Sequence, residues 1–192
     1  MLKKSDKKNT VEKPFSEMTA KEKGKEILSW IIWLSAAIII AVMLRTFVFE
    51  FAVVSGDSMN NTLYDKEYVF VEKISKLRDD YEYGDILIVH YPGSSAAYVK
   101  RLVGKEGDTI EVKDGYLYRN GAKTEEPYTK DEYINFDFEK ITVPSGHVFV
   151  MGDNRNNSMD SRNPSVGPIA EEEIVGHASF VMLPISGLRG LK

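Results

Sequence analysis

The chain has 192 residues, a formal net charge of −4 and no cysteine. Its length suits one compact domain with a membrane anchor, and the mildly acidic balance gives no support for nucleic-acid binding. The absence of cysteine excludes a thiol nucleophile, a disulfide framework and every metal site built from thiolates.

An uncharged apolar run, I-L-S-W-I-I-W-L-S-A-A-I-I-I-A-V-M-L, covers residues 27–44. As a helix rising about 1.5 Å per residue, it is roughly 27 Å long, which matches the hydrocarbon core of a bilayer. A cleavable secretory signal is the alternative. The run is long for such a signal, however, and the T-F-V-F-E-F after Arg45 lacks the small residues of a cleavage site. The pattern therefore predicts one transmembrane helix.

The charges that flank this run predict its orientation. Eight lysines precede it, whereas only Arg45 follows closely. Because positive flanks stay in the cytoplasm, residues 1–26 are expected to be a flexible basic cytoplasmic tail. Residues 45–192 are then an extracytoplasmic domain of a single-pass protein in the cell membrane, with the lipid bilayer as a partner.

Beyond the anchor, short alternating apolar runs predict a mainly β, antiparallel domain with a barrel-like or sandwich-like form. Asp114-Gly115 predicts a tight hairpin turn. The polar segment 124–139, within the 105–150 part of the domain, is expected to be a surface excursion. The predicted strands are 47–54, 68–71, 85–91, 97–103, 109–112, 116–118, 140–151 with a turn at 144–146, and 175–183.

Two separate motifs carry the candidate chemistry. Ser58 lies in V-V-S-G-D-S-M, and Lys100 lies in Y-V-K-R-L-V-G. A serine needs a base to attack at neutral pH, and a lysine is that base only where burial keeps its amine neutral. Strand alternation puts Lys100 on one face with Tyr98 and Leu102. The alternatives are an ordinary surface serine and a lysine whose stem lies along apolar surface while its charge stays in water.

A third block, G-D-N-R-N-N-S-M-D-S-R, spans residues 152–162 and has the composition of a hydrogen-bonded loop. Ser158 is placed to aim the amine of Lys100, and the two arginines of the block are placed to pair with its two aspartates. A calcium loop is the alternative, but the arginines and the missing bidentate glutamate argue against it. We therefore expect no metal. The residues concerned are Asp153, Arg155, Ser158, Asp160 and Arg162.

The chain has three histidines, His90, His147 and His177. Each falls within a predicted strand and away from other polar candidates. Histidines embedded in strands are usually structural, so the pattern disfavours a Ser/His/Asp triad.

Taken together, the motifs resemble those of the type I bacterial signal peptidases (leader peptidases), in their small single-anchor Gram-positive form. The resemblance runs from the anchor to about Pro184. It rests on S-G-D-S-M with N-N-T-L, Y-G-D-I-L-I-V, Y-V-K-R-L-V-G and G-D-N-R-N-N-S-M-D-S-R, in that order. It implies a serine endopeptidase that removes N-terminal signal peptides from exported preproteins, on a largely antiparallel β fold and without a metal or organic cofactor.

Carried over by motif, the resemblance implies that Ser58 is the nucleophile, Lys100 the general base and Ser158 the residue that orients the lysine. It also implies that ion pairs hold the loop, through Asp153, Arg155, Asp160 and Arg162.

Two positions depart from the commonest family pattern. Asn61 stands where proline is usual. Gly56 stands where some members carry a hydroxyl that stabilises the oxyanion, so the backbone N–H of Ser58 is the main donor we expect.

Two other functions fit parts of the sequence. A self-cleaving Ser/Lys peptidase of the repressor type is disfavoured by the anchor and the basic tail. A catalytically silent, membrane-tethered relative that chaperones the assembly of surface proteins is disfavoured by the presence of both Ser58 and Lys100. The expected partners are preprotein signal peptides, and the expected state is a monomer.

Overall fold

The computed structural model describes residues 14–78 and 81–191, so the first half of the predicted tail lies outside the described residues. The chain divides into an N-terminal unit, residues 1–44, and a second unit, residues 45–192.

The N-terminal unit consists of a short 3-10 turn, Phe15–Glu17, and the helix α1, Ala20–Phe47, which ends in the second unit. Thr19 caps the helix. Its N–H and its hydroxyl both donate to the Glu22 carboxylate at 2.8 Å. Residues 20–26, which were expected to be flexible tail, are therefore helical, because this cap starts the helix before the apolar run. The helix is long and apolar enough to cross a membrane, by length and composition.

The second unit is built from short strands, as predicted, and from one short helix, α2, that was not predicted. Their bounds are β1 Phe49–Val53, β2 Tyr68–Glu72, α2 Ile74–Arg78, β3 Ile86–His90, β4 Ala97–Gly104, β5 Thr109–Lys113, β6 Tyr116–Arg119, β7 Ala122–Lys123, β8 Phe138–Thr142, β9 His147–Met151, β10 Ile169–Ala170, β11 Ile174–Leu183 and β12 Arg189–Gly190.

The strands form two sheets, and every pairing among the described strands is antiparallel. The larger sheet has the order β1-β2-β11-β3-β4-β9-β10, with β12 also on β11. The smaller sheet has the order β7-β6-β5-β8. The predicted fold class, mainly antiparallel β with an N-terminal apolar helix, is confirmed.

Turn chemistry explains the hairpins of the smaller sheet. Asp114 and Gly115 have φ values of 52° and 80°, and Lys113 pairs with Tyr116 on either side of them. Two positive φ values define the tight hairpin turn that Asp-Gly favours. The segment predicted as strand–turn–strand at 140–151 behaves differently, because β8 pairs with β5 and β9 pairs with β4. Its turn therefore links the two sheets.

Strand β3 shows why the larger sheet is buried on both faces. Ile86 and Ile88 pack into one apolar cluster, whereas Leu87 and Val89 pack into another. Successive side chains of a strand point to opposite faces, so the unbroken run I-L-I-V contributes to both clusters. Strand β4 pairs with β3 in this buried centre of the sheet, and Lys100 lies on β4.

The predicted surface excursion is only partly at the surface. Residues 124–137 contain no helix or strand, as expected. Ile134 is buried, however, and packs with Ile110 and Phe149 in a third apolar cluster. The segment therefore packs against the core, and its polar residue Glu126 binds Arg155 of the third motif.

Candidate active site

The turn after β1 presents Ser58. Gly56 has a φ of 90°, and its N–H donates to Asp65 Oδ1 at 3.0 Å. A side chain at that backbone angle would be strained, so glycine suits this position. Met59, next to Ser58, is 1% exposed and anchors the turn in the core, while Ser58 itself is only partly buried.

The main chain around Ser58 is fixed from the third motif. Asn154 donates its backbone N–H to the carbonyl oxygen of Ser58 and its side-chain amide to the carbonyl oxygen of Asp57, both at 3.0 Å. Sequence reasoning identified a hydrogen-bonded loop but did not single out Asn154, because nothing in the composition separates it from Asn156 and Asn157.

Lys100 lies on β4 opposite Leu87. Its Nζ is 2.8 Å from Ser58 Oγ and donates to the carbonyl oxygen of Val99 at 2.9 Å. The residue is 3% exposed. Burial lowers the pKa of Lys100 to about 8, although the charges of Asp160 and Asp153 oppose that shift. A neutral amine in contact with the hydroxyl is the arrangement that a general base needs.

Ser158 is brought to the site but does not hold the lysine. Neither of the two hydrogen bonds that Lys100 Nζ makes to the described residues goes to Ser158. Its Oγ is buried beside Gly152. A β-carbon on Gly152 would lie 2.7 Å from Ser158 Cβ and 2.5 Å from the Ser58 carbonyl oxygen. The close packing of both serines against this glycine therefore leaves no room for a side chain.

The partner of Asp153 is Arg101, not an arginine of its own loop. Both residues are 0% exposed, and Arg101 Nε and Nη2 contact the carboxylate at 2.8 and 2.7 Å. The hydroxyl of Thr62 also donates to Asp153. Sequence reasoning missed Arg101. Strand alternation puts it on one face with the apolar residues Val99 and Val103, and this was the available signal that it is buried.

The partner of Arg155 is Glu126, so the expected pairing of Arg155 within the loop is wrong. The two terminal guanidinium nitrogens of Arg155 each lie 2.7 Å from an oxygen of Glu126. Arg155 is 1% exposed, and its partner belongs to the segment expected to be a surface excursion. A buried arginine needs a carboxylate with good geometry, and here a distant segment supplies it.

Arg162 and Asp160 do pair within the loop, at 2.8 Å for both contacts. Arg162 also donates to the carbonyl oxygen of Arg155 at 2.7 Å, and Gly152 donates its N–H to Asp160 at 3.0 Å. Burial raises the pKa of Asp160, but the hydrogen bonds from Arg162 and Gly152 outweigh it and leave the pKa below its ordinary value. The loop is thus held closed around an ionised carboxylate.

A small pocket of about 80 Å³ opens beside the two candidate catalytic atoms. Residues 53–56, 58–59 and 97–100 line it. Among residues 14–78 and 81–191, no group of three or more histidine, aspartate and glutamate side chains is arranged to hold a metal ion. His177 lies 3.7 Å from the carboxylates of both Glu72 and Asp85.

A buried amine in contact with a serine hydroxyl, on an antiparallel β domain, is the arrangement that a serine hydrolase with an amine base requires. The chain belongs to the signal peptidase family, peptidase S26, which matches residues 27–183. The family inferred from the motifs is therefore confirmed.

Two signal peptidases of known sequence match nearly the whole chain, and one crystal structure matches about half of it. Signal peptidase I T of Bacillus subtilis (strain 168) is 44% identical over 186 residues, which is 92% of this chain and 96% of that protein. Signal peptidase I of Bacillus amyloliquefaciens is 43% identical over 190 residues, covering 94% and 98%. The crystal structure of a signal peptidase I from Enterococcus faecalis V583 is 32% identical, covers 52% of this chain and 97% of that chain, and has a TM-score of 0.46.

Proposed function

We propose that Ser58 and Lys100 form the catalytic dyad with which this serine endopeptidase removes signal peptides from exported preproteins. Membership in the signal peptidase family supports the activity and the substrate. The observation that carries the assignment of the dyad is the 2.8 Å separation of Lys100 Nζ and Ser58 Oγ, with the lysine buried.

The reaction begins with Lys100 as a neutral amine. Its Nζ accepts the proton of Ser58, whose Oγ forms a bond to the carbonyl carbon of the scissile peptide. The resulting ammonium gives that proton to the leaving amine as the C–N bond breaks. Lys100, neutral again, then takes a proton from a water molecule that attacks the acyl-enzyme, and the released Ser58 recovers its proton.

The negative oxygen of the tetrahedral intermediate needs a donor. Gly56 offers no side chain, and its N–H is already used by Asp65. We therefore assign the backbone N–H of Ser58 as the main donor. One such donor is typically worth about 3 kcal/mol of transition-state stabilisation.

The pocket beside the dyad supports selection of small side chains near the cut. Its apolar lining includes Val53 at the end of β1 and Ala97 and Val99 at the start of β4. We infer that the signal peptide lies extended along these strands, as in other cases of strand addition. The volume of about 80 Å³ suits small residues at the first and third positions before the cut.

The loop residues are assigned supporting roles. Ser158 is our candidate for orienting the amine. When Ser58 turns toward the substrate, Lys100 Nζ loses one of its two partners, and Ser158 offers a buried hydroxyl on the adjoining loop. The same loop brings Asp160 close enough to raise the pKa of Lys100. Asp153, Arg155 and Arg162 maintain the loop through their ion pairs.

The family and the apolar helix support a membrane-anchored protein. We propose that residues 27–44 cross the membrane, with residues 1–26 in the cytoplasm and the catalytic domain, residues 45–192, outside. The positive charge before the helix supports this orientation. We further propose that the protein works as a monomer in contact with lipid.

Preprotein cleavage by the full chain in detergent tests the proposal. We expect the wild type to release the mature protein, Ser58→Ala and Lys100→Ala to lose that activity, and Ser165→Ala, at an exposed serine, to keep it. Covalent labelling of Ser58 by an acylating inhibitor gives a second readout. Cleavage by Ser58→Ala at the wild-type rate, or no cleavage and no labelling in the wild type, would contradict the dyad. The latter result would favour the silent chaperone.

A further inference from the structure

The segment of residues 126–135, here called the strap, lies outside the catalytic motifs but contacts the loop of residues 152–162 (the catalytic loop). The N–H of Lys130 donates to the carbonyl oxygen of Asp153 at 3.0 Å. Asn156 accepts a hydrogen bond from the N–H of Asn135 at 2.8 Å and donates to the carbonyl oxygen of Tyr133 at 2.9 Å. Main-chain groups of the strap therefore bind both the main chain and a side chain of the loop.

One strap side chain neutralises a buried cation. Glu126 binds both terminal nitrogens of Arg155 at 2.7 Å. Arg155 is 1% exposed, and Glu126 is its one carboxylate partner among the described residues. Removing one member of a buried ion pair leaves an uncompensated charge. The position of Arg155 in the catalytic loop therefore depends on the strap.

A second strap side chain covers the other buried arginine. The ring centre of Tyr128 lies 3.8 Å from the guanidinium carbon of Arg101, which pairs with Asp153. Burial, followed by the charge of Glu126, raises the pKa of Tyr128 to about 12, so its phenol stays neutral. A neutral aromatic face over an arginine is attractive and excludes water from its ion pair. Tyr128 thus shields the Arg101–Asp153 ion pair from water.

The strap also reaches the turn of the nucleophile directly. The side-chain amide of Asn61 donates to the carbonyl oxygen of Thr129 at 3.2 Å, and Asn61 has a φ of 54°. Proline cannot adopt a positive φ and has no side-chain donor. The asparagine found where the family usually has proline is therefore matched to the strap of this chain.

From these contacts we propose that the strap positions the catalytic loop, and through it Ser58, with Glu126 and Tyr128 as positioning residues. The path runs from the strap to Asp153, and from its neighbour Asn154 to the carbonyl oxygen of Ser58. This inference rests on the proposed function. None of the described residues that line the pocket beside the dyad belongs to the strap, so the strap affects kcat and leaves KM nearly unchanged.

Two matched pairs of variants test the strap by preprotein cleavage with the full chain in detergent. Tyr128→Leu removes the ring over Arg101, while Tyr128→Phe keeps it. Glu126→Gln removes the charge that faces Arg155, while Glu125→Gln changes an exposed neighbour. We expect Tyr128→Leu and Glu126→Gln to lower kcat roughly 10- to 100-fold, since small displacements of catalytic groups have effects of that size, with KM within about twofold. Glu125→Gln should stay near wild type. Tyr128→Phe, which loses only the 3.2 Å hydrogen bond from its hydroxyl to Glu126, should keep far more activity than Tyr128→Leu.

Hydrogen exchange at the amide of Asn154 provides a readout that does not depend on activity. That amide is protected by its bond to the Ser58 carbonyl oxygen, so it should exchange faster in Tyr128→Leu than in Tyr128→Phe. If Glu126→Gln does not fold, the Tyr128 pair still decides the question. Wild-type kcat in Tyr128→Leu, a rise in KM alone, or unchanged exchange at Asn154 would overturn the inference. A wild type that does not cleave preprotein would instead contradict the proposed function, while the exchange experiment would still test the strap.

Discussion

The backbone N–H of Asn154 donates to the carbonyl oxygen of Ser58, at 3.0 Å. This bond joins the third motif to the first, and it is made by main-chain atoms only. The orientation of Ser58 therefore depends on the backbone position of residues 152–162, and substitution of the Asn154 side chain removes only the second bond, to Asp57.

Activity should rise with pH through about 8. Burial lowers the pKa of Lys100 to about 8, and only the unprotonated amine can accept the proton of Ser58. Below that pKa, kcat/KM should therefore fall about tenfold per pH unit, and above it the profile should level off. Initial rates of preprotein cleavage, measured at pH values on both sides of 8, define this rising part of the pH profile (the rising limb). A profile that is flat between about pH 6 and 9 would exclude Lys100 as the base.

Asp160→Asn should move that limb to lower pH. The charge of Asp160 raises the pKa of Lys100, so its removal lowers the pKa. The cation of Arg162, left without its carboxylate, acts in the same direction. The pH profile of the variant measures the shift, and Glu139→Gln, at an exposed carboxylate, serves as the control. Movement of the limb to higher pH would contradict this electrostatic assignment.

Gly152→Ala should abolish most activity. A β-carbon there would lie 2.5 Å from the Ser58 carbonyl oxygen and 2.7 Å from Ser158 Cβ, so the loop or the nucleophile must move. Displacements of this size cost roughly 100-fold in rate. Gly190→Ala is a matched control, because a β-carbon at Gly190 meets no heavy atom within 4 Å. The kcat of the two variants checks the prediction, and equal values would refute it.

Asp153→Asn should destabilise the catalytic domain. It leaves Arg101, 0% exposed, without its carboxylate, and breaking a buried pair in this way costs about 3–5 kcal/mol. The thermal midpoint should fall by roughly 10 °C. Glu111→Gln breaks the exposed pair with Lys140, which is 3.5 Å long, and should change the midpoint little. Thermal unfolding followed by circular dichroism compares the two variants, and similar midpoints would show that the buried pair adds no stability.

Asn61→Pro should reduce activity, although proline is usual in the family at this position. Asn61 has a φ of 54°, which proline cannot adopt. Asn61→Gly keeps the backbone angle available and loses only the hydrogen bond to Thr129, so it should retain more activity than Asn61→Pro. Values of kcat for the two variants give the test. A fully active Asn61→Pro would mean that the turn has another stable conformation.

Much of the fold could be predicted because its signals are local. The apolar run of residues 27–44 and the Asp114-Gly115 turn depend on composition and on backbone preferences within a few residues. The helix begins before the apolar run because Thr19 caps it there. This cap is a local signal too, but hydropathy does not measure it. The short strands β7, β10 and β12 escaped prediction because strands of two residues carry no detectable alternation.

The ion pairs could not be predicted in the same way. The sequence placed Arg155 within two residues of Asp153, yet its partner is Glu126, 29 positions away, and Asp153 pairs with Arg101, 52 positions away. A pairing of charges depends on distance in space and on which groups are shielded from water. Neither quantity can be read from spacing along the chain.

Residue types and short-range periodicity were enough to predict the apolar helix, the alternating strands and the three motifs that bring a serine, a lysine and a polar loop into one protein. That Lys100, 42 positions from Ser58, lies 2.8 Å from its hydroxyl in a buried environment follows from the folding of the chain as a whole. A shifted pKa and a hydrogen bond both require that distant parts of the chain exclude water and fix the distance between the two groups.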